Sequence, residues 1–111
     1  MPIWSLPPVS SEPCIRLLEW RIFEILPQDS RHLVGLDIGG RTGRVSSAVL
    51  KFDADTLRGV TRSGRVYTLV GPAGSADDAQ YVWERWCSAN GVQQSTDVTS
   101  GIDSWSEDDN R

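Results

Sequence analysis

A chain of 111 residues with 39% hydrophobic and 23% charged side chains has the size of one domain, able to bury roughly 65% of the surface its unfolded form exposes without a metal or disulfide staple. Its net charge of −4 opposes long-range attraction to nucleic acid, and no apolar run nears the roughly 20 residues that cross a bilayer, so a soluble protein with no membrane contact is expected. Cys14 and Cys87 stand far apart, and residues 1–8 lack the basic start and apolar run of a signal peptide, which predicts a cytoplasmic protein with free thiols.

The charge is unevenly spread. Residues 1–30 sum to −2, residues 31–65 to +4 and residues 66–111 to −6, so a basic middle is followed by an acidic end.

Residues 1–14 hold four of the six prolines and read as an arm without regular structure of its own. From Ile15 to Leu26 the apolar residues fit either a helical stripe or a strand; strand is taken, ended by Pro27, because the strands that come after it need a first member. Pro27 to Ser30 is a turn by composition, Arg31 to Ile38 a second strand, Gly39 to Gly43 a flexible loop, and Arg44 to Phe52 a third strand. Asp53 to Thr56 makes the next turn. Leu57 to Arg62 and Arg65 to Val70 then form a hairpin closed by Ser63-Gly64. Helical periodicity begins near Ser75, a good N-cap with Asp78 three residues on, and Ala79, Val82, Trp83, Trp86 and Asn90 share one face. Asn90-Gly91 stops this helix, with Val92 placed for a closing apolar contact. Gln93 to Thr99 can add an edge strand, and residues 100–111 are too polar and acidic to offset their ordering entropy. The expected fold is α+β, an antiparallel meander of four to five strands with one amphipathic helix on one face. Residues 15–99 form its domain, between the arm and a mobile tail.

Several residue groups carry potential chemistry. His32 is the sole histidine, which excludes a histidine-based triad or multi-histidine metal site within one chain. A Cys87–His32 dyad is weighed against Cys87 as a small apolar residue on a packed helix, and packing is preferred. The pairs Asp53 with Asp55 and Asp77 with Asp78 are accounted for by turn formation and helix capping. No catalytic residues, metal ligands or cofactors are assigned, and a non-enzymatic protein is expected.

The arginines are more informative. With a two-residue turn at Ser63-Gly64, Arg62 and Arg65 oppose one another on one face, followed by Arg58, Val60, Tyr67 and Leu69 on that same face. Like charges opposed across a sheet are unfavourable unless an anion lies between them. The candidate binding residues are therefore Arg41, Arg44, Arg58, Arg62, Arg65 and Tyr67. A protein partner is the leading expectation, because the whole chain is acidic. The alternatives are a nucleic acid, held by a compact arginine patch, and an inhibitor that mimics nucleic acid through its acidic end.

Two resemblances can be placed on named residues. Leu36-Asp37-Ile38-Gly39-Gly40-Arg41-Thr42 resembles the phosphate-binding hairpin of sugar kinases with the actin-like fold, but Arg41 interrupts the motif and 111 residues cannot supply that fold's two lobes. An ordinary glycine-rich connection is preferred. Thr61 to Pro72, with Asp77 to Trp83 and Trp86 to Val92, resembles a family of small uncharacterised bacterial proteins of mobile-element context, over residues 19–99. That resemblance implies an accessory role and brings no catalytic residues.

Overall fold

The structure, a computed structural model, describes residues 14–26, 29–40 and 42–104. The expected amino-terminal arm lies outside these residues apart from Cys14, as do Arg41 and the acidic stretch after Ser104.

The longest element is β1 (Cys14–Leu26), and its apolar residues explain why it reads as either helix or strand. Ile15 and Leu17 point to one face, a register shift falls between Leu18 and Arg21, and Trp20 and Ile22 then take over that face. Glu19 at the shift has φ 47°, a left-handed backbone that marks the irregularity. Phe23 and Ile25 consequently bury on the opposite face. One strand thus feeds two cores, with a break in its alternation that mimics a helical stripe.

β2 (Ser30–Asp37) lies antiparallel to β1, and β3 (Thr42–Val45) antiparallel to β2. After Ser46–Ala48 come β4 (Val49–Asp53), β5 (Arg58–Thr61) and β6 (Val66–Leu69), each antiparallel to its predecessor from β4 onward. The sheet order is β3-β2-β1-β6-β5-β4. Its two ends, β3 and β4, are joined by only three residues, so the sheet has to curl until the ends approach. The single strand expected over residues 44–52 is therefore two, broken where Val45 leaves its pairing with Val34 and Val49 takes up pairing with Thr61.

The expected antiparallel meander is also corrected. β6 returns parallel to the first half of β1, from Cys14↔Val66 to Leu17↔Leu69. β7 (Gln94–Asp97) pairs antiparallel with the second half, from Leu26↔Gln94 to Phe23↔Asp97. The result is a mixed sheet of seven strands. Alternation reveals that a segment is a strand but not which partner it finds, and the crossover through β4 and β5 reverses the direction of the pairing.

The helix α1 (Asp77–Ala89) begins after an N-cap at Ala76, with no side-chain cap; Ser75, the expected cap, stands one position too early. It ends as the sequence suggests. Gly91 has φ 67°, Val92 N donates to Cys87 O at 3.0 Å, and Val92 packs on the core beneath the helix. A 3-10 helix (Thr99–Ser104) closes the described chain, across the expected boundary at residue 100.

The concave inside of the curl holds Ile15, Leu17, Trp20, Ile22, Leu33, Val49, Phe52, Tyr67 and Leu69. A second core fills the space between the outer face of β1, β2 and β3 and the helix, where Trp83 stacks on Phe23 with ring centres 4.5 Å apart. Gly43 makes this approach feasible: a Cβ there would stand 2.4 Å from the Asp78 carbonyl oxygen. The helix covers only that half of the outer face.

Candidate binding surface

The hairpin that joins β5 to β6 decides where the arginines go. Thr61 N donates to Arg65 O at 3.0 Å and Gly64 N to Thr61 O at 2.8 Å, with Gly64 at φ 94°. The loop is thus Arg62-Ser63-Gly64, three residues rather than two, and the register is Arg58↔Thr68, Gly59↔Tyr67 and Val60↔Val66. This one-residue difference from the expected register sends alternate side chains to the opposite faces. Tyr67 is 1% exposed in the inner core and Arg65 is 4% exposed, so neither joins Arg58 and Arg62 on the surface. The expected opposition of Arg62 and Arg65 does not occur, because Arg62 stands in the loop.

Arg44 is also internal. It pairs with Gly35 across β2 and β3, and its Nη1 donates to Asp37 Oδ2 at 2.8 Å with both side chains buried. The Tyr67 hydroxyl lies beside the guanidinium. Burial raises the Tyr67 phenol above its ordinary pKa; it opposes the Arg44 charge too, but Tyr67 and Asp37 outweigh it and hold the guanidinium above its ordinary value. Of the six candidate residues, Arg44, Arg65 and Tyr67 belong to the interior, Arg58 and Arg62 to the surface, and Arg41 lies outside the described residues.

On the surface, strand register assembles a different set. The outward rows across the uncovered half are Lys51, Val60, Val66 and Cys14, then Asp53, Arg58, Thr68 and Arg16. Lys51, Arg58 and Arg16 are exposed, Val60, Val66 and Thr68 half-buried between them, and Arg62 extends from the loop. A shallow hollow of about 430 Å³ lies here, with Lys51, Thr56 and Arg58 around the valines and Asp53 as its one carboxylate. Sequence reasoning missed Lys51 and Arg16. Their alternation with buried Phe52, Ile15 and Leu17 was the available signal.

The other groups have structural employment. His32 Nδ1 lies 2.9 Å from Ser46 O and Nε2 3.0 Å from Ser30 Oγ, and its ring leans on Trp86 at 4.7 Å. Burial chiefly, helped by the Arg62 charge and opposed by the Ser46 hydrogen bond, lowers the His32 pKa, so the ring is neutral at pH 7. Burial, with the Glu84 charge beside it, pushes the Cys87 thiol up to about 11, the reverse of what a nucleophile needs. Asp37 Oδ1 accepts from Gly39 N at 2.9 Å and Gly40 N at 3.4 Å, which turns the glycine amides toward their own strand and away from an incoming phosphate. Asp53 Oδ1 accepts from Asp55 N at 2.9 Å, a turn-forming contact. Trp20 and Trp83 are buried, Trp20 donating through Nε1 to Gly71 O at 3.0 Å. Among the described residues no three His, Cys, Asp or Glu side chains gather to hold a metal, and no helix is long and apolar enough to cross a membrane.

Comparison with known proteins finds no family model, no curated protein and no solved structure that matches this chain.

Proposed function

We propose that this protein is a non-enzymatic binding module that engages an acidic protein partner through the uncovered half of its sheet, on the hairpin from Arg58 to Leu69 and the neighbouring β4. The observation that carries the reading is the juxtaposition of Lys51, Arg58 and Arg16 around half-buried Val60 and Val66, on a sheet face that no helix covers among the described residues. Apolar floor with charged rim is the usual anatomy of a protein interface. Sequestering Arg44 and Arg65 removes two members of the expected arginine patch, and the −4 net charge opposes long-range steering to phosphate, which favours protein over nucleic acid.

The test is an amide chemical-shift titration with an oligoglutamate peptide and, separately, a short mixed-sequence DNA duplex, at low and physiological salt. The peptide is expected to move amides of residues 50–69 and to lose that effect in Lys51→Glu/Arg58→Glu. Stronger, salt-sensitive shifts with DNA would transfer the reading to nucleic acid. Silence with both would remove it.

A further inference from the structure

We infer that Asn90-Gly91 is a site of spontaneous deamidation in the folded protein, consuming one water and releasing ammonia, and that the carboxylate it leaves loosens the end of α1. The inference is independent of the function proposed above.

The reaction needs one conformational step. The Gly91 amide nitrogen, having given its proton to a base, has to come within bonding approach of the Asn90 side-chain Cγ. A bond forms between them, the Cγ–Nδ2 bond breaks, and ammonia leaves behind a five-membered succinimide. Water then adds at either ring carbonyl and opens the ring to aspartate or isoaspartate, with no change of redox state. In the folded chain Asn90 is the C-cap of α1, its ψ held at 7°, and what holds it there is slight. Gly91 N donates to Ser88 O at 3.4 Å, a long contact. Asn90 Nδ2 donates to Trp86 O at 2.9 Å on the exposed side of the turn. Both residues are exposed, Gly91 has φ 67°, and a Cβ there would meet nothing within 4 Å, so the attacking nitrogen is uncrowded. A helix end of this kind opens at little cost.

The product changes the chemistry of that end. Asn90 Nδ2, a donor, is replaced by a carboxylate oxygen beside the Trp86 carbonyl, so a hydrogen bond gives way to a repulsion. The new negative charge falls at the negative end of the helix dipole, where the last turn has no basic residue to offset it. Isoaspartate also adds one backbone atom between the helix and Val92, whose side chain packs on the core beneath α1. Trp86, whose ring meets His32 at 4.7 Å, lies in the turn that is loosened.

The test incubates the full chain at mildly alkaline pH, folded and in urea, and follows the peptide holding residues 86–92 by mass spectrometry, with enzymatic methylation to detect isoaspartate. A gain of about 1 Da at Asn90 is expected, with isoaspartate among the products. Fraying of one turn makes the folded chain slower than the chain in urea by less than about a thousandfold. A stable domain is globally unfolded only about 10⁻³ of the time or less, so a greater slowing would assign the reaction to the unfolded chain and overturn the inference. Conversion confined to Asn110 would do the same. So would a product that is aspartate alone, or a mass gain that persists at position 90 in Asn90→Gln, whose longer side chain cannot close the five-membered ring. Asn90→Asp stands for the aspartate product and should raise amide exchange over residues 86–92 by about threefold or more. Exchange equal to the parent's would refute the loosening.

Discussion

The outer face of the sheet has two halves that obey the same strand alternation and meet opposite fates. Over β2 and β3, Val34, Val45 and the second half of β1 lie under α1, and Phe23, Trp83 and Trp86 stack in sequence above them. Over β4, β5 and β6 the outward positions are Lys51, Asp53, Arg58, Val60, Val66 and Thr68, with no helix above among the described residues. The difference comes from single positions. Gly43 admits the helix backbone where any side chain would hold it off, whereas the long side chains of Lys51 and Arg58 stand beside the valines of the other half. An apolar half that α1 covers becomes core, and one rimmed by cations stays half-exposed among the described residues.

The comparison predicts a steep contrast in stability. Trp83→Ala should cost about 3–5 kcal/mol by removing a large buried ring from the covered half, read as a fall in the urea midpoint. Arg44→Met is expected to cost about 3–5 kcal/mol, since it leaves the buried Asp37 carboxylate without its ion-pair partner, read as a fall in the urea midpoint. Gly43→Ala should cost about 1–3 kcal/mol and raise hydrogen exchange across α1, because the new methyl meets backbone rather than a yielding side chain.

A smaller effect concerns pH. The folded His32 has a pKa below its ordinary 6.5, so the unfolded chain takes up the proton more readily than the folded one. The stability tied to neutral His32 is complete above about pH 6.5 and is lost as pH falls through that value toward the lower folded pKa. Urea midpoints of the wild type should therefore fall between pH 7.5 and pH 5 by more than those of His32→Gln. Least of all, Lys51→Gln/Arg58→Gln should move stability by no more than about 0.5 kcal/mol, while the proposed function predicts that it loses the oligoglutamate-induced amide shifts. A large loss of stability in this last variant would mean that the bare half is structural after all.

Legibility followed the range of the interaction. The helix was readable with its stop at Asn90-Gly91-Val92, because periodicity and capping are local. β1 was recognisable but ambiguous, since the bulge at Glu19 interrupts its alternation. The parallel return of β6 was invisible, because nothing in residues 66–69 records that residues 14–17 lie beside them. The arginine site suffered most from the smallest error. Taking Ser63-Gly64 as the turn in place of Arg62-Ser63-Gly64 puts Arg65 and Tyr67 on the wrong face. Arg44 gave a readable clue that went unused: Asp37 and Arg44 flank a glycine-rich hairpin at a spacing that lets them meet across it.

The placement of β1 also bears on how the chain is made. It pairs with β2 at once, but its other edge is filled by β6 over its first half and by β7, reached only at Gln94, over its second. During synthesis this strand therefore emerges well before residues 66–69 and 94–97, with an edge of unpaired amides and carbonyls beside Phe23 and Ile25. Contacts so distant in sequence make for slow folding, and the interval before β7 docks is when a ribosome-bound chain is most open to chaperones or to pairing with a neighbouring copy.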